Sequence, residues 1–164
     1  MMNHLNHLSW DDYFMNTALL SAMRSKDPST KVGAVVVNED KRIIGIGYNG
    51  FPNGCSDEDF PWAREGDFLE TKYAYVVHAE ENAILNSTTG VKGASIFVSL
   101  FPCHECAKKI IQSGIREVVY LSDKYEGTPG NYASKRMMKA SGVMKRKLVM
   151  NQIVSVTEVP VSME

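Results

Sequence analysis

The chain has 164 residues and a formal net charge of −1, from 18 basic and 19 acidic side chains. This length fits one domain with a buried core, and the near-neutral charge excludes a global attraction to nucleic acid or anionic membranes. No run approaches the roughly 18 apolar residues of a membrane span, and the start has no features of a secretory signal. The three cysteines are typical of a reducing compartment. We therefore expect a single domain over residues 1–164, located in the cytoplasm, or in the host cytoplasm if the protein is viral.

The first predicted elements are one helix and a pair of strands. Ser9 caps a helical pattern over residues 10–24. Two runs rich in valine and isoleucine, at 31–38 and 42–48, predict a β-hairpin. Residues 49–77 show no periodicity, and a loop of this length inside a compact domain is usually functional.

The second half of the chain alternates helices and short apolar strands, which is typical of strand-helix-strand units. Right-handed crossovers between such units place helices on both faces of one mixed sheet. We therefore predict an α/β fold, a three-layer α/β/α arrangement around a mixed five-stranded sheet. The elements are a helix opening at His78, a strand over 94–100, a helix over 103–112, a strand over 115–121, a helix over 131–140, an edge strand over 143–150 and an irregular tail from about 151.

Two short motifs, about two dozen residues apart, contain candidate metal ligands. His78 lies two residues before Glu80, and Cys103 and Cys106 form a Cys-x-x-Cys pair. Both motifs open predicted helices, so two helix N-termini would face one metal. An imidazole and two thiolates suit zinc, and three protein ligands leave the fourth tetrahedral position for water. Zinc-bound water ionises near neutral pH, and Glu80 is placed to transfer protons beside it without binding the metal.

Other uses of a Cys-x-x-Cys pair stay open at this point, namely a redox pair or half of a structural zinc site. A structural site needs four ligands, and the only other cysteine, Cys55, lies in a separate segment, which favours the catalytic interpretation. The order of His-x-Glu followed by Pro-Cys-x-x-Cys is the signature of zinc-dependent nucleobase deaminases.

On these motifs the chain resembles the cytidine deaminase superfamily, and within it most closely the deoxycytidylate (dCMP) deaminases. The zinc motif is typical of the whole superfamily, whereas the run from Gly47 to Cys55 separates dCMP deaminases from their relatives. The resemblance implies a cytidine deaminase-like fold and the hydrolysis of dCMP to dUMP and ammonia, which supplies thymidylate synthesis. The other matching runs are 24–28, 32–34, 71–73 and 122–125.

The resemblance also implies partners that composition and spacing do not. Enzymes of this type are similar in forming ring-shaped homo-oligomers, commonly hexamers. They are typically activated by dCTP and inhibited by dTTP, with Mg²⁺ accompanying the triphosphate. Phage relatives can carry extra ligands for a second zinc, but this chain lacks a convincing set, so we expect one catalytic zinc per subunit.

Five residues are candidate contacts for a nucleotide substrate. Arg24, Ser25 and Lys26, at the end of the first helix, offer two cations and a hydroxyl to a phosphate, although basic residues there also complement the helix dipole. Asn49 resembles the superfamily's sugar-hydroxyl contact, or it is simply a turn residue. Tyr125 follows the carboxyl end of a strand, where ligands gather in α/β sheets; it either covers the base or phosphate or packs within a loop.

Gly50, Phe51, Asn53 and Gly54 are candidates for a regulatory nucleotide site. Backbone N–H groups beside glycine can approach phosphates closely. A purely structural turn is the alternative.

The alternatives to a dCMP deaminase are a tRNA adenosine deaminase, a riboflavin-pathway deaminase and a zinc-stabilised binding module. A tRNA adenosine deaminase should have a clearly basic surface, which this nearly neutral chain lacks, and a riboflavin-pathway deaminase shares the zinc motif. In a zinc-stabilised binding module without catalysis, Glu80 would have no role. We expect no nucleic-acid or membrane partner, and we interpret one basic cluster as a solvated face: Lys135, Arg136, Lys139, Lys145, Arg146 and Lys147.

Overall fold

The computed structural model describes residues 7–159 and contains one mixed sheet of five strands in the order β2-β1-β3-β4-β5. β1 pairs antiparallel with β2 and β3, whereas β3-β4 and β4-β5 are parallel. The predicted hairpin and mixed sheet are confirmed. The strands are β1 (Gly33–Val37), β2 (Ile43–Tyr48), β3 (Ser95–Leu100), β4 (Glu117–Ser122) and β5 (Met144–Lys147), and the helices are α1 (Trp10–Ala22), α2 (Ala79–Leu85), α3 (His104–Gln112) and α4 (Pro129–Ser141).

Alternating side chains of the buried strands fill two cores, one on each face of the sheet. Ala34 and Val36 of β1 pack into the core shared with α2, α3 and α4. Val35 and Val37 pack on the opposite face, against α1. Successive strand residues point to opposite faces. Because both faces of the sheet are covered, every residue of β1 is buried and apolar. The predicted three-layer α/β/α arrangement is confirmed.

Two glycines of β2 allow α2 to lie directly on the sheet. A Cβ added at Gly45 would overlap the carbonyl of Ala83, and one added at Gly47 would overlap the backbone of Ala79 and Ala83. Close backbone approach of this kind is a main use of glycine in a strand. The close packing of α2 on β2 fixes the position of the first turn of α2.

Helix caps set the ends of α1 and α4. The Ser9 side chain accepts a hydrogen bond from the backbone N–H three residues later, as predicted. α1 ends at Ala22, two residues earlier than predicted, because tighter turns follow it. α4 begins at Pro129, earlier than predicted, because Thr128 caps it and proline suits the first helical position. Gly142, at φ +76°, ends it as predicted.

The chain beyond β5 follows α1 without regular structure. β5 is shorter than predicted but is an edge strand. The side chain of Asn16 donates to the carbonyl of Gln152 (3.0 Å) and accepts from the N–H of Val154 (2.8 Å). The predicted irregular tail holds to residue 159; residues 160–164 lie outside the described part of the chain. Within 7–159, no helix combines the length and apolar character needed to cross a bilayer.

Candidate metal centre and active site

The three predicted metal ligands lie together at the starts of α2 and α3. His78 is the N-cap residue of α2, Cys103 is the N-cap residue of α3, and Cys106 follows in the first turn of α3. The Nδ1 atom of His78 lies 3.4 Å from the Sγ atoms of both cysteines. All three donor atoms lie within 4.8 Å of one another.

This donor set fits a zinc ion. Tetrahedral zinc with ordinary Zn–S and Zn–N bonds would separate sulfur and nitrogen by roughly 3.5 Å, close to the separations found. Among residues 7–159, no further His, Cys, Asp or Glu joins the group. Three ligands from imidazole and thiolate, with one position open, are typical of a catalytic zinc site.

The two thiols differ in their affinity for protons. A hydrogen bond from Cys106 lowers the pKa of Cys103 to about 3, with a further contribution from His78. The pKa of Cys106 is raised, because it shares its proton with Cys103 and is buried. Ligands must be deprotonated to bind metal, so zinc binding would release the proton of Cys106.

Glu80 lies in the first turn of α2, two residues after His78, and lines the same cavity as the ligands. Its side chain is only 4% exposed, and burial raises its pKa. In the described part of the chain, it forms no ion pair with a basic side chain. A carboxyl group with a raised pKa, beside three ligands, is suited to taking up and releasing protons.

Contacts between helices keep the two ligand-bearing turns in place. Ser134 of α4 donates to the carbonyl of Pro102 (2.8 Å), directly before Cys103. Lys109 of α3 forms an ion pair with Glu81 of α2 (2.5 Å). The turn before α3 is thus tied to α4, and the first turn of α2 is tied to the last turn of α3.

The metal ligands form one wall of a cavity of about 580 Å³. The far wall is formed by the turn after α1, by the long segment 49–77 and by the loop after β4. Asn49 and Tyr125, both predicted substrate contacts, line this cavity. This volume is typical of a small-molecule site.

Asn49 is held in place by a buried polar network. Its Nδ2 donates to Asp27 (3.2 Å) and to the carbonyl of Thr30 (2.9 Å), and its Oδ1 accepts from the N–H of Val32 (2.8 Å). Lys72 lies 2.5 Å from Asp27 and completes the network. Both Nδ2 hydrogens are therefore used within the protein, and Oδ1 keeps one lone pair that can accept from a ligand hydroxyl.

Asp27 and Lys72 are the functional residues that the sequence did not reveal. Their side chains are 1% and 7% exposed. Burial raises the pKa of Asp27, but hydrogen bonds from Lys72 and from the backbone of Ser29 and Thr30 outweigh it, so the pKa lies below its usual value. Both lie in runs that resemble dCMP deaminases, 24–28 and 71–73, but Lys72 is in the segment without periodicity, and no local pattern indicated a role for either residue.

The structure does not bring the predicted phosphate contacts into the cavity. Arg24 is exposed and lies outside the lining. The hydroxyl of Ser25 is buried and donates to the carbonyl of Asn49 (2.8 Å). Lys26 forms an ion pair with Asp57 (2.6 Å).

The predicted regulatory residues also lie outside this cavity. Asn53 and Gly54 are exposed, and Gly54 adopts φ +86°. Gly50 pairs with the backbone of a residue far along the segment, just before α2. The ring of Phe51 packs on Trp62, with ring centroids 4.1 Å apart. The residues form a turn on the surface.

The predicted basic face contains ion pairs. Lys135 pairs with Asp123 (2.6 Å), and Arg146 pairs with Asp11 (2.6 Å). Its interpretation as a solvated face stays a prediction.

Comparison with known proteins identifies the family. Residues 8–122 match the family described as the cytidine and deoxycytidylate deaminase zinc-binding region. The chain therefore belongs to the cytidine and deoxycytidylate deaminase family, as its sequence motifs indicated.

Relatives within the family carry a more particular name. The deoxycytidylate deaminase of Homo sapiens is 53% identical over 88% of this chain and 82% of its own length. A probable deoxycytidylate deaminase of Drosophila melanogaster is 58% identical over 84% of this chain and 71% of its own length. The crystal structure of the cyanophage S-TIM5 dCMP deaminase in complex with dCMP and dUMP has a TM-score of 0.69 and 28% identity, covering 87% of this chain and all of that one.

Proposed function

We propose that the protein deaminates dCMP to dUMP and ammonia, with one catalytic zinc per subunit. The observation that carries the proposal is the single cavity in which His78, Cys103 and Cys106 meet beside the buried carboxyl group of Glu80. The extensive identity with deoxycytidylate deaminases supports dCMP as the substrate. The reaction consumes one water molecule, whose oxygen replaces the amino nitrogen at C4.

The chain's own residues divide the chemical work. When held by the three ligands, zinc supplies Lewis acidity that makes water a nucleophile near neutral pH. Glu80 would take one proton from the attacking water and donate it to N3 of the base, which makes C4 more electrophilic. It would then take the second proton of that water and pass it to the departing amino group, which leaves as ammonia. One carboxyl group therefore transfers protons in both directions.

The far wall would hold the sugar and cover the ligand. The free lone pair of Asn49 Oδ1 can accept from a sugar hydroxyl, while its network prevents the amide from turning. Tyr125, half-exposed at the carboxyl end of β4, is placed to cover the base or the phosphate.

Ammonia release tests this proposal. The purified protein is offered dCMP, deoxycytidine, cytidine and a tRNA anticodon stem, each with and without a zinc chelator. We expect selective release from dCMP that the chelator abolishes. Equal or greater release from another substrate would contradict the proposal, and so would release that survives complete removal of zinc.

We also propose that the protein is a cytoplasmic homo-oligomer, commonly a hexamer in similar enzymes, regulated by dCTP and dTTP at the loop of Gly50, Phe51, Asn53 and Gly54. The resemblance supports this assignment, and a Cβ at Gly50 or Gly54 would meet no atom within 4 Å, which leaves their backbone open to a phosphate. Mg²⁺ would accompany the triphosphate.

Calorimetry and light scattering test this regulation. We expect dCTP to bind in the presence of Mg²⁺ and to raise turnover, and dTTP to compete with it and lower turnover. A monomeric mass would contradict the proposed oligomer. The absence of dCTP binding would contradict the proposed regulation.

A further inference from the structure

Among the lysine and arginine side chains that line the cavity, one has no carboxylate partner within the described residues. These side chains are those of Arg64, Lys72 and Lys109. Lys72 pairs with Asp27 and Lys109 with Glu81. Within residues 7–159, Arg64 takes part in no ion pair. It is therefore the cavity's available cation for an anionic ligand.

The guanidinium of Arg64 uses one of its nitrogen atoms within the described part of the protein. Its Nε donates to the hydroxyl of Tyr73 (3.3 Å), which orients the guanidinium. In the described structure, its terminal nitrogen atoms have no hydrogen-bond partner. A planar guanidinium with free terminal N–H groups can bind phosphate oxygens with two parallel hydrogen bonds.

The backbone around Arg64 is anchored although its side chain is exposed. The N–H of Lys72 donates to the carbonyl of Ala63 (3.0 Å), immediately before Arg64. One residue earlier in the chain, Trp62 packs against Phe51 (4.1 Å between ring centroids). Fixed neighbours lower the entropy that the arginine loses on binding.

The loop after β4 contributes further positive charge near Arg64. Lys124 donates to the hydroxyl of Thr30 (3.2 Å), and its Nζ lies 5.0 Å from the ring centroid of Tyr125. Burial raises the pKa of Tyr125, but its hydrogen bond with Thr30 and the charges of Lys124 and Arg64 outweigh it, so the pKa is lowered. This end of the cavity therefore favours negative charge.

We propose that Arg64 binds the 5′-phosphate of the substrate, with the hydroxyl groups of Tyr73 and Tyr125 as further donors. This inference rests on the proposed function and names the group that separates a nucleotide from a nucleoside. It is an alternative to Arg24 and Lys26, which do not line the cavity.

Steady-state kinetics of Arg64→Ala with dCMP and deoxycytidine test the assignment. We expect kcat/KM for dCMP to fall by about 10- to 100-fold, as for a lost hydrogen bond to a charged group, with the loss mostly in KM. Turnover of deoxycytidine should be unchanged. Arg42→Ala, which removes another exposed arginine, is the matched control and should behave as wild type. Zinc content and circular dichroism check that each variant is folded.

Binding to a catalytically impaired protein provides a second readout that needs no turnover. We expect Glu80→Gln to bind dCMP about 10- to 100-fold more tightly than Glu80→Gln combined with Arg64→Ala. Equal dCMP affinity of the two proteins, or equal losses on dCMP and deoxycytidine, would overturn the inference. A rise in KM for Arg24→Ala but not for Arg64→Ala would place the phosphate at Arg24. A wild-type protein that binds dCMP through Arg64 but releases no ammonia would contradict the proposed function alone.

Discussion

The metal end and the nucleotide end of the cavity are built in different ways. At the metal end, the starts of two helices supply all three predicted ligands, and the motif spacing of the sequence was enough to predict them. At the nucleotide end, Asp27 contacts Asn49 across 22 residues and Lys72 across 45 residues of sequence. Short motifs are therefore enough to indicate the zinc-binding chemistry of this family, whereas the opposite end of the cavity depends on contacts between residues far apart in the sequence.

Removing one metal ligand should have the largest effect. We expect Cys103→Ala to lose zinc and with it all measurable turnover, because two remaining ligands cannot hold the ion in place. Zinc content by mass spectrometry and dUMP formation check this. Cys55→Ala, which removes the cysteine outside the site, should keep both, and a Cys103→Ala protein with full zinc content would show that the site lies elsewhere.

Removing the carboxyl group of Glu80 should lower turnover without loss of zinc. We expect Glu80→Gln to keep its zinc and to lose about 10²- to 10⁴-fold in kcat, the usual contribution of a positioned acid-base group. Glu105→Gln is the matched control, because that carboxylate lies in the first turn of α3 but is 54% exposed. Near-normal turnover of Glu80→Gln would exclude the assigned role.

Breaking the buried Asp27–Lys72 ion pair should lower the stability of the folded protein. We expect Lys72→Met to lower the free energy of unfolding by about 3–5 kcal/mol, because it leaves Asp27 buried without its cation. Urea unfolding measures this change. Lys26→Ala breaks the exposed pair with Asp57 and should cost less than about 1 kcal/mol. Similar costs for both variants would mean that burial of the Asp27–Lys72 pair has no special importance.

Lowering the pH should also weaken the Asp27–Lys72 pair, with a smaller loss of stability than Lys72→Met causes. The pKa of Asp27 is lowered in the folded protein, so its stabilising effect is complete above its usual value of about 4 and is lost as the pH falls through the folded value. In zinc-free protein, wild type should therefore lose stability below pH 4 faster than Asp27→Asn combined with Lys72→Met. Parallel pH profiles would contradict the lowered pKa.

The metal end could be predicted from sequence because helix starts and metal ligands both follow local rules. His78 and Cys103 precede apolar helical patterns, and the structure places both at N-cap positions. The runs rich in valine and isoleucine likewise predicted the hairpin of β1 and β2, and the alternation of strands and helices predicted helices on both faces of the sheet. Such signals depend only on neighbours in the chain.

The nucleotide end could not be predicted in this way. α1 ends two residues earlier than its periodicity indicated, and the following turn brings the hydroxyl of Ser25 under Asn49 instead of into the cavity. Lys72 and Arg64 lie in a segment without periodicity, and only the folded contacts place them in the cavity wall. Tyr125, which also lines the cavity, was predicted because the ends of strands are a general position for ligands.

Zinc titration of the metal-free protein, followed by dUMP formation from dCMP, tests the central claim most directly. The three-ligand site predicts that turnover is absent without zinc, rises in proportion to added zinc and saturates at one ion per chain. Turnover of the metal-free protein, or one tightly bound zinc per chain without any dUMP, would contradict it.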